Sequence, residues 1–213
     1  MPPRTRRDTD WLGAVAFLPE DRSLEALRDA AAGCQGCPLH EPATQTVFGR
    51  GQASARLAFV GEQPGDVEDQ QGVPFVGPAG RLLVQALDEA GVDRSDVYVT
   101  NAVKHFKFTP RGNRRIHATP DTYEVGACAP WLAAELAAVS PELTVLLGAT
   151  AAKAMLGSSF RVTQQRGVLM PREGGGQVMA TIHPSAVLRA EDARAEAMAG
   201  LVADLRVAAA ALA

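Results

Sequence analysis

Short segments rich in aliphatic and β-branched residues recur along the chain and predict buried strands. Each is followed at once by glycine, proline or polar residues, which are typical of loops. These segments cover residues 57–61, 97–103, 143–148 and 178–183.

Other segments have apolar residues at helical spacing and predict helices over residues 23–32, 79–91, 123–139, 149–156 and 191–212. Pro130 predicts a break within the third of these helices, because proline removes a helix hydrogen bond. The alternation of strands and helices predicts an α/β fold with a central, mostly parallel four-stranded sheet flanked by helices. We expect a single domain over residues 13–213, behind a flexible tail formed by residues 1–12.

The polar segments directly follow the predicted strands, and this position indicates a binding site. In an open parallel sheet, the loops that follow the strands gather at its carboxyl edge, where ligands bind. The segment after the first strand contains Glu62, Gln63 and Asp66. Asn101 lies in the second strand segment, and His183 ends the fourth. We therefore expect these motifs to converge on one cleft.

The charge distribution indicates a local nucleic-acid footprint. The net charge is −3, yet residues 104–115 contain five Lys or Arg, two Phe and no acidic residue. A basic patch of this kind binds phosphates even on an acidic protein. The alternative is a solvated basic loop. The stretch GNRRIHATP within and after this patch predicts neither helix nor strand.

The composition excludes several classes of protein. No apolar run reaches the ~20 residues of a membrane span, and the basic start is not followed by the apolar core of a secretory signal. We expect a cytoplasmic protein without a membrane partner. No exposed apolar stripe stands out, which favours a monomer.

The cysteines predict a metal site. Their number is odd, which argues against a disulfide framework, and Cys34 and Cys37 have the C-x2-C spacing of metal and redox sites. With Cys128, and a histidine as fourth ligand, they could hold zinc or an iron–sulfur cluster. The candidate histidines are His40, His105 and His117. The alternative is three incidental buried thiols.

The glycine- and proline-rich segment 61–80 is expected to be a tight loop that carries carboxylates. It lacks both the Walker pattern and the dinucleotide-binding glycine pattern. Phe75 in this loop could stack on a ligand or belong to the core. Asn101 offers a donor and an acceptor suited to a nucleobase edge, or simply forms a turn.

Four motifs, in this order, resemble the uracil-DNA glycosylase superfamily: GEQPGDVEDQQGVPFVGPAG, TNAVKHFKF, CAPWL and HPSAVLR. They are most similar to its iron–sulfur branch, family four, found in bacteria and archaea. Gln63 and the stretch NRRIH further resemble the UdgX subgroup, whose loop pattern is Lys-Arg-Arg-Ile-His. Asn113 stands where that pattern has lysine.

The resemblance implies a [4Fe–4S] cluster, with zinc as the less favoured alternative. Its ligands would be Cys34, Cys37, His105 and Cys128, with the histidine in a position that usually carries cysteine. The partner implied is uracil-containing DNA, preferentially single-stranded, met in the nucleoid of a bacterial cytoplasm.

The resemblance also implies residue roles. His117 would attack the sugar and remain bonded to it, while Glu62 stabilises the sugar cation and His183 donates to the departing uracil. Uracil would be bound by Gln63, Asp66, Phe75, Asn101 and His183, and the catalytic group would also include Gln63 and Asp66. The DNA backbone would be contacted by Arg114, Arg115, Ser185 and Arg189.

Two other functions fit the same motifs. The first is a conventional family-four enzyme that releases uracil and free abasic DNA, with His117 as a DNA contact. The second is an iron–sulfur protein that binds DNA lesions without catalysis.

Overall fold

A computed structural model of the protein describes residues 11–213. Residues 1–10 of the predicted tail lie outside the described residues, and Trp11 packs edge-on against the ring of His40, with ring centres 5.3 Å apart. In chain order the strands are β1 Leu57–Gly61, β2 Val97–Asn101, β3 Phe108–Arg111, β4 Arg114–His117, β5 Leu143–Leu147, β6 Met170–Pro171 and β7 Gln177–Thr181.

The main sheet has the strand order β2-β1-β5-β7-β6. Strands β2, β1, β5 and β7 are parallel neighbours, which confirms the α/β fold and its mostly parallel sheet. The short β6 pairs with β7 in the antiparallel direction. It was not predicted, because two residues, Met170 and Pro171, are too few to set up a hydrophobic pattern.

Helices cover both faces of this sheet. They are α1 Leu24–Ala31, α2 Asp66–Gln71, α3 Pro78–Ala90, α4 Thr122–Val139, α5 Gly148–Leu156, α6 Val162–Gln165, α7 Pro184–Leu188 and α8 Arg194–Ala210. Leu57 and Phe59 of β1 point into the cluster formed with α3, α7 and α8. Ala58 and Val60 point into the opposite cluster, formed with α4 and α5. The alternation of side chains along β1 thus places a hydrophobic core on each face.

The predicted break at Pro130 is wrong: α4 is continuous across it. The helix starts with a capping box in which Asp121 and Glu124 satisfy each other's backbone N–H groups. Cys128 and Trp131, on either side of the proline, are both buried. Packing on both sides therefore holds the helix together despite the missing hydrogen bond.

Two segments expected to be irregular are ordered. β3 and β4 form a hairpin in which Arg111 pairs with Arg114, so its turn is Gly112–Asn113, and Gly112 has φ of 57°. Gly-Asn between two strands is a recognised hairpin signal. Within the expected loop 61–80, α2 ends at Gly72, whose φ is 70°. The expectation of loops failed because both elements are short and polar.

None of the described helices is long and apolar enough to cross a bilayer.

Candidate active site

The motifs after β1, β2, β5 and β7 meet at the carboxyl edge of the sheet. A Cβ atom built on Gly61 would lie 2.4 Å from Asn101 Oδ1 and 2.7 Å from the ring of Phe75. A Cβ atom on Gly148 would lie 2.9 Å from the Cβ of His183. These two glycines therefore allow the pocket residues to approach one another, and a side chain at either would displace them.

Phe75 is held in an unusual conformation beside this edge. Its φ of 57° lies in the left-handed region, which costs a non-glycine residue about 1–3 kcal/mol and recurs at functional sites. A Cβ atom on Gly80 would lie 1.8 Å from the Phe75 carbonyl oxygen, so α3 packs directly on this turn. The half-buried ring lies 6.4 Å from the ring of His183, centre to centre.

His183 is set up as a neutral hydrogen-bond donor. Its Nδ1 accepts the backbone N–H of Ser185 at 3.1 Å, which places the proton of the neutral ring on Nε2. Burial, together with the charges of Arg189 and His117, lowers the pKa of His183 to about 4. The ring is therefore neutral at pH 7, with an Nε2–H that can donate to a ligand.

Gln63 joins the loop after β1 to the hairpin. Its Oε1 accepts the N–H of Lys107 at 2.9 Å, which fixes the orientation of the amide. Its Nε2 then lies 2.9 Å from His117 Nε2 and 3.0 Å from the Ala118 carbonyl oxygen. Because the amide nitrogen can only donate, His117 Nε2 is the acceptor and carries a lone pair. The imidazole is thus held with an unprotonated nitrogen at the pocket.

Glu62 lies on the other side of the same imidazole nitrogen. Its Oε1 is 3.4 Å from His117 Nε2. Its Oε2 accepts a hydrogen bond from the hydroxyl of Thr150, in the first turn of α5. The hydroxyl orients the carboxylate, which can therefore stabilise positive charge that develops near His117 Nε2.

Arg115 fastens the hairpin to α2. Its Nε and Nη1 each lie 2.5 Å from a carboxylate oxygen, of Asp66 and Asp69 respectively. The side chain of Asp69 is 0% exposed, whereas that of Asp66 is 44% exposed. The guanidinium lies 5.5 and 5.1 Å from the ring centres of Phe106 and Phe108. Asp66 thus contacts the hairpin, and Arg115 is occupied by two carboxylates.

The remaining predicted DNA contacts lie at the surface around this site. Arg114 is exposed, and within the described residues it forms no ion pair. Arg189 is exposed at the end of α7. The hydroxyl of Ser185 lies 2.8 Å from His183 Nδ1, so Ser185 also orients the histidine.

The three cysteines are buried, unpaired thiols between α1, the N-terminal segment and α4. Cys34 Sγ accepts the indole N–H of Trp131 at 3.2 Å, and Cys128 Sγ accepts the backbone N–H of Lys104 at 3.3 Å. Burial raises the pKa of Cys37 to about 11 and that of Cys128 to about 12. N–H donors aimed at sulfur are typical of thiolates that bind an iron–sulfur cluster, so these thiols fit such a group.

His105 has the electronic state of a ligand. Burial, together with the charge of His40, lowers its pKa to about 4, so the ring is neutral. Its Nε2 lies 2.9 Å from the hydroxyl of Thr46. Across residues 11–213, no three His, Cys, Asp or Glu side chains come close enough to hold a single metal ion. A cluster spreads its ligands over several iron atoms, and so needs a wider arrangement than a zinc ion.

The segment between the pocket and the cysteines contains a buried ion pair. Lys104 and Glu135 are almost fully buried, and their charged groups are in contact. Lys104 Nζ also donates to the carbonyl oxygen of Asn101 at 2.7 Å, and Glu135 accepts from Tyr98. The backbone that carries Asn101 is therefore tied to the helix that carries Cys128.

Comparison with known proteins identifies the family. The family model of the uracil DNA glycosylase superfamily matches residues 48–206. The chain belongs to this superfamily. It is 41% identical over 167 residues to a protein of Thermotoga maritima named type-4 uracil-DNA glycosylase, covering 78% of this chain and 83% of that one. A protein of Pyrobaculum aerophilum with the same name is 37% identical over 180 residues, covering 81% and 88%.

Both relatives place the chain in the family-four branch of the uracil-DNA glycosylase superfamily. The matched region contains the loop after β1, the hairpin and the segment after β7. The UdgX features, Gln63 and His117, lie within that region and stay predictions.

Sequence reasoning missed three residues of this family-four site. Thr150, which orients Glu62, lies in the Gly-Ala-Thr segment after β5, a position that marked it as a candidate. Asp69 lies three residues after Asp66, the helical spacing that brings both to Arg115. Glu68 accepts the N–H of Gly77 at 2.8 Å and closes the loop that carries Phe75.

Proposed function

We propose that this protein is a uracil-DNA glycosylase that excises uracil and then stays bonded to the sugar through His117. One observation carries the proposal: His117 Nε2 lies at the pocket, 2.9 Å from the Gln63 amide nitrogen and 3.4 Å from Glu62 Oε1. The names of the relatives support uracil excision. The covalent step rests on the position of His117.

Uracil binding requires the nucleotide to leave the stack, at a cost of a few kcal/mol. The ring of Phe75 would stack on the base and the amide of Asn101 would read its edge, since both converge at Gly61. The contacts of Gln63 and Asp66 with the hairpin favour an indirect role for both. They would hold His117 in place instead of binding uracil themselves.

Cleavage of the C1′–N1 bond sends its electron pair to uracil and leaves a cation on the sugar. The neutral Nε2–H of His183 would donate to the uracil oxygen on which negative charge develops. Donors placed in this way typically contribute about 2.7–4 kcal/mol to a barrier. Glu62, oriented by Thr150, would stabilise the sugar cation.

Capture of the cation needs a nucleophile with a free electron pair. In the tautomer that Gln63 selects, the lone pair of His117 Nε2 accepts the amide N–H. Once that hydrogen bond breaks, the pair would attack C1′ and make an alkylated imidazolium. Glu62 Oε1 lies near enough to stabilise that positive charge. The imidazole takes the place of the side-chain nucleophile in a retaining glycosidase. The adduct persists because the imidazole occupies the face from which water would attack.

The cofactor we propose is a [4Fe–4S] cluster held by Cys34, Cys37, His105 and Cys128. When bound, it would cross-link the N-terminal segment, the segment after β2 and α4. The N–H groups of Trp131 and Lys104 support thiolate ligands at this place. A visible spectrum tests the assignment: broad absorption of a brown protein is expected, and a colourless protein would contradict it.

Exposed cations around the pocket would contact the DNA partner. Arg114 and Arg189 are both exposed and would bind phosphates of a single strand. We propose that the protein acts as a monomer.

A denaturing gel tests the proposed reaction. Single-stranded oligonucleotide with one uracil should give a shifted band that survives heat and detergent. Abasic product without that band would support the conventional enzyme, and unchanged oligonucleotide would support a binding protein.

The variant His117→Ser tests the nucleophile. It should lose the shifted band while uracil release continues, because water can then reach the sugar. The matched control is Ile116→Ser, the exposed neighbour of His117 in the hairpin, which should keep the adduct. Peptide mass spectrometry of the native adduct should find the sugar on His117. A sugar on another side chain would contradict the assignment.

A further inference from the structure

A second cleft, of about 520 Å³, opens beside the loop that carries Phe75. Its walls are the C-terminal half of α1, the segment 46–51 and residues 72–74. Arg28 and Arg50 both line it. Apart from Thr46, whose hydroxyl contacts His105, no residue of this cleft has a role in the proposed reaction or cofactor site.

The cleft carries positive charge without an acidic partner. Arg28 and Arg50 are exposed, and within residues 11–213 neither forms an ion pair. The Arg28 guanidinium is 5.9 Å from the ring centre of Phe48, a cation–π contact that holds it at the cleft wall. Burial and the charge of Arg50 both lower the pKa of nearby Arg94. In a chain with net charge −3, this clustering of guanidinium groups indicates an anionic ligand.

The position of the cleft favours DNA as that ligand. Its wall residue Pro74 directly precedes Phe75, and neighbouring Cα atoms are about 3.8 Å apart. Gly72, at the other end of this wall, is three residues from Phe75 and so lies within about 11 Å of it. A strand whose base stacks on Phe75 and whose backbone runs along residues 72–74 would therefore have its next nucleotides at the cleft.

The backbone of the cleft is rigid enough to form a binding surface. The N–H and C=O of Arg50 both bond to Val99 of the edge strand β2, each at 2.8 Å. A Cβ atom on Gly49 would lie 2.2 Å from the hydroxyl of Tyr98, so this segment lies directly on the sheet. The cations are thus presented from fixed backbone.

We propose that this cleft binds the phosphate backbone of the same DNA strand, on one side of the flipped uracil. A positively charged groove that follows the backbone is the usual way to hold single-stranded DNA without reading its sequence. The inference rests on the proposed function, because Phe75 must hold the uracil. It adds a polarity: contacts extend to only one side of the lesion.

The test compares two double variants with equal loss of charge. Arg28→Gln/Arg50→Gln removes the cleft cations. Arg172→Gln/Arg206→Gln, the control, removes two cations at the opposite, amino edge of the sheet. Arg172 follows Pro171, which pairs with the first residue of β7, and Arg206 donates to the carbonyl oxygen of Glu89 at the end of α3. Melting temperatures of both variants are measured first, so that unfolding is not mistaken for lost binding.

Binding is measured by fluorescence anisotropy, at several salt concentrations, with single strands that contain a non-cleavable 2′-fluoro-deoxyuridine. The strands are extended on the 5′ side, on the 3′ side, or on neither. For one extension, the cleft variant should lower the salt slope by about 1.4, since each single-strand phosphate contact contributes about 0.7. At 0.1 M salt the two contacts correspond to about 25-fold in affinity relative to 1 M. The control variant should match the native protein.

Four outcomes would overturn the inference. The cleft variant could lose affinity equally for both extensions, lose affinity for the unextended strand, or lose none, or the control variant could lose as much affinity as the cleft variant. Uracil release from the unextended strand separates this from the proposed function. If the native protein releases uracil and the cleft variant binds normally, only the cleft assignment fails. If the native protein neither releases uracil nor forms an adduct, the proposed function fails.

Discussion

The contact between Arg115 and α2 gives the sharpest prediction, made with Arg115→Gln. The hairpin that carries His117 is fastened to α2 by the ion pairs of Arg115 with Asp66 and Asp69. Removing the guanidinium should free the hairpin without touching the uracil pocket. Uracil excision should therefore continue, while transfer of the sugar to His117 should slow.

The expected magnitude follows from burial. The Asp69 side chain is 0% exposed, and a hydrogen bond to a buried charged group contributes about 1.5–3 kcal/mol. The Asp66 side chain is 44% exposed, so solvent screening reduces that pair to about 0.5 kcal/mol. A loss of about 2–3.5 kcal/mol lowers the equilibrium constant for docking of the hairpin about 30- to 300-fold, at 1.4 kcal/mol for each factor of ten. The docked population falls by the same factor when docking is marginal.

The assay is the ratio of adduct to free abasic product on a denaturing gel, which does not depend on how much protein is active. The ratio should fall by that factor for Arg115→Gln. The matched control is Arg114→Gln, the exposed neighbour, which should weaken DNA binding in a salt-dependent way and leave the ratio unchanged. If excision and adduct formation fall together for Arg115→Gln, the hairpin is not held by this arginine and the reasoning is refuted.

Three further predictions follow. Gly61→Ala should lower the single-turnover rate constant of uracil release by at least about tenfold, because its Cβ would lie 2.4 Å from Asn101 Oδ1 and displace it. Gly126→Ala, in open space, is the silent control, and equal rates for the two variants would exclude a tight pocket here. Glu135→Gln should lower unfolding stability in urea by about 3–5 kcal/mol, because the buried Lys104 loses its charged partner, and an unchanged midpoint would show that the pair is not buried in solution. His183→Gln should slow uracil release about 100- to 1000-fold. The same variant should remove part of the acid sensitivity of folding. The pKa of His183 is about 4 in the folded protein and 6.5 in the unfolded chain, so below pH 6.5 the unfolded chain binds a proton that the folded protein does not. The free energy of unfolding should therefore fall between pH 6.5 and pH 4, and fall more in the native protein than in the variant.

The regular part of the fold follows from the sequence because its signals are local. β1 matches its predicted bounds, and the other parallel strands differ from theirs by a few residues at the ends. The hairpin and α2 were not predicted, because both are short and polar and the position of each also depends on distant partners. Arg115 of the hairpin is fixed by carboxylates 46 and 49 residues away in the chain, and no local pattern reports such a contact.

In the candidate site, too, some features could be predicted from the sequence and others could not. Positions at strand ends, such as Asn101 and His183, could be predicted because the topology of a parallel sheet brings them together. The state of each side chain could not, because it depends on hydrogen bonds that only the folded chain supplies. Ser185 sets the tautomer of His183, and Gln63 sets the tautomer of His117.

In the proposed reaction, Gln63 would favour capture of the sugar by the protein over capture by water. A glycosylase that releases its product must leave the face of C1′ opposite the base open to water. Here the amide of Gln63 spans the loop after β1 and the hairpin, bonding to Lys107, His117 and Ala118. The same amide would hold the hairpin over that face, and its hydrogen bond to His117 Nε2 must break before the lone pair can attack. In this proposal the position of the hairpin and the orientation of His117 both depend on one side chain, and a residue too short to span the gap would lose both.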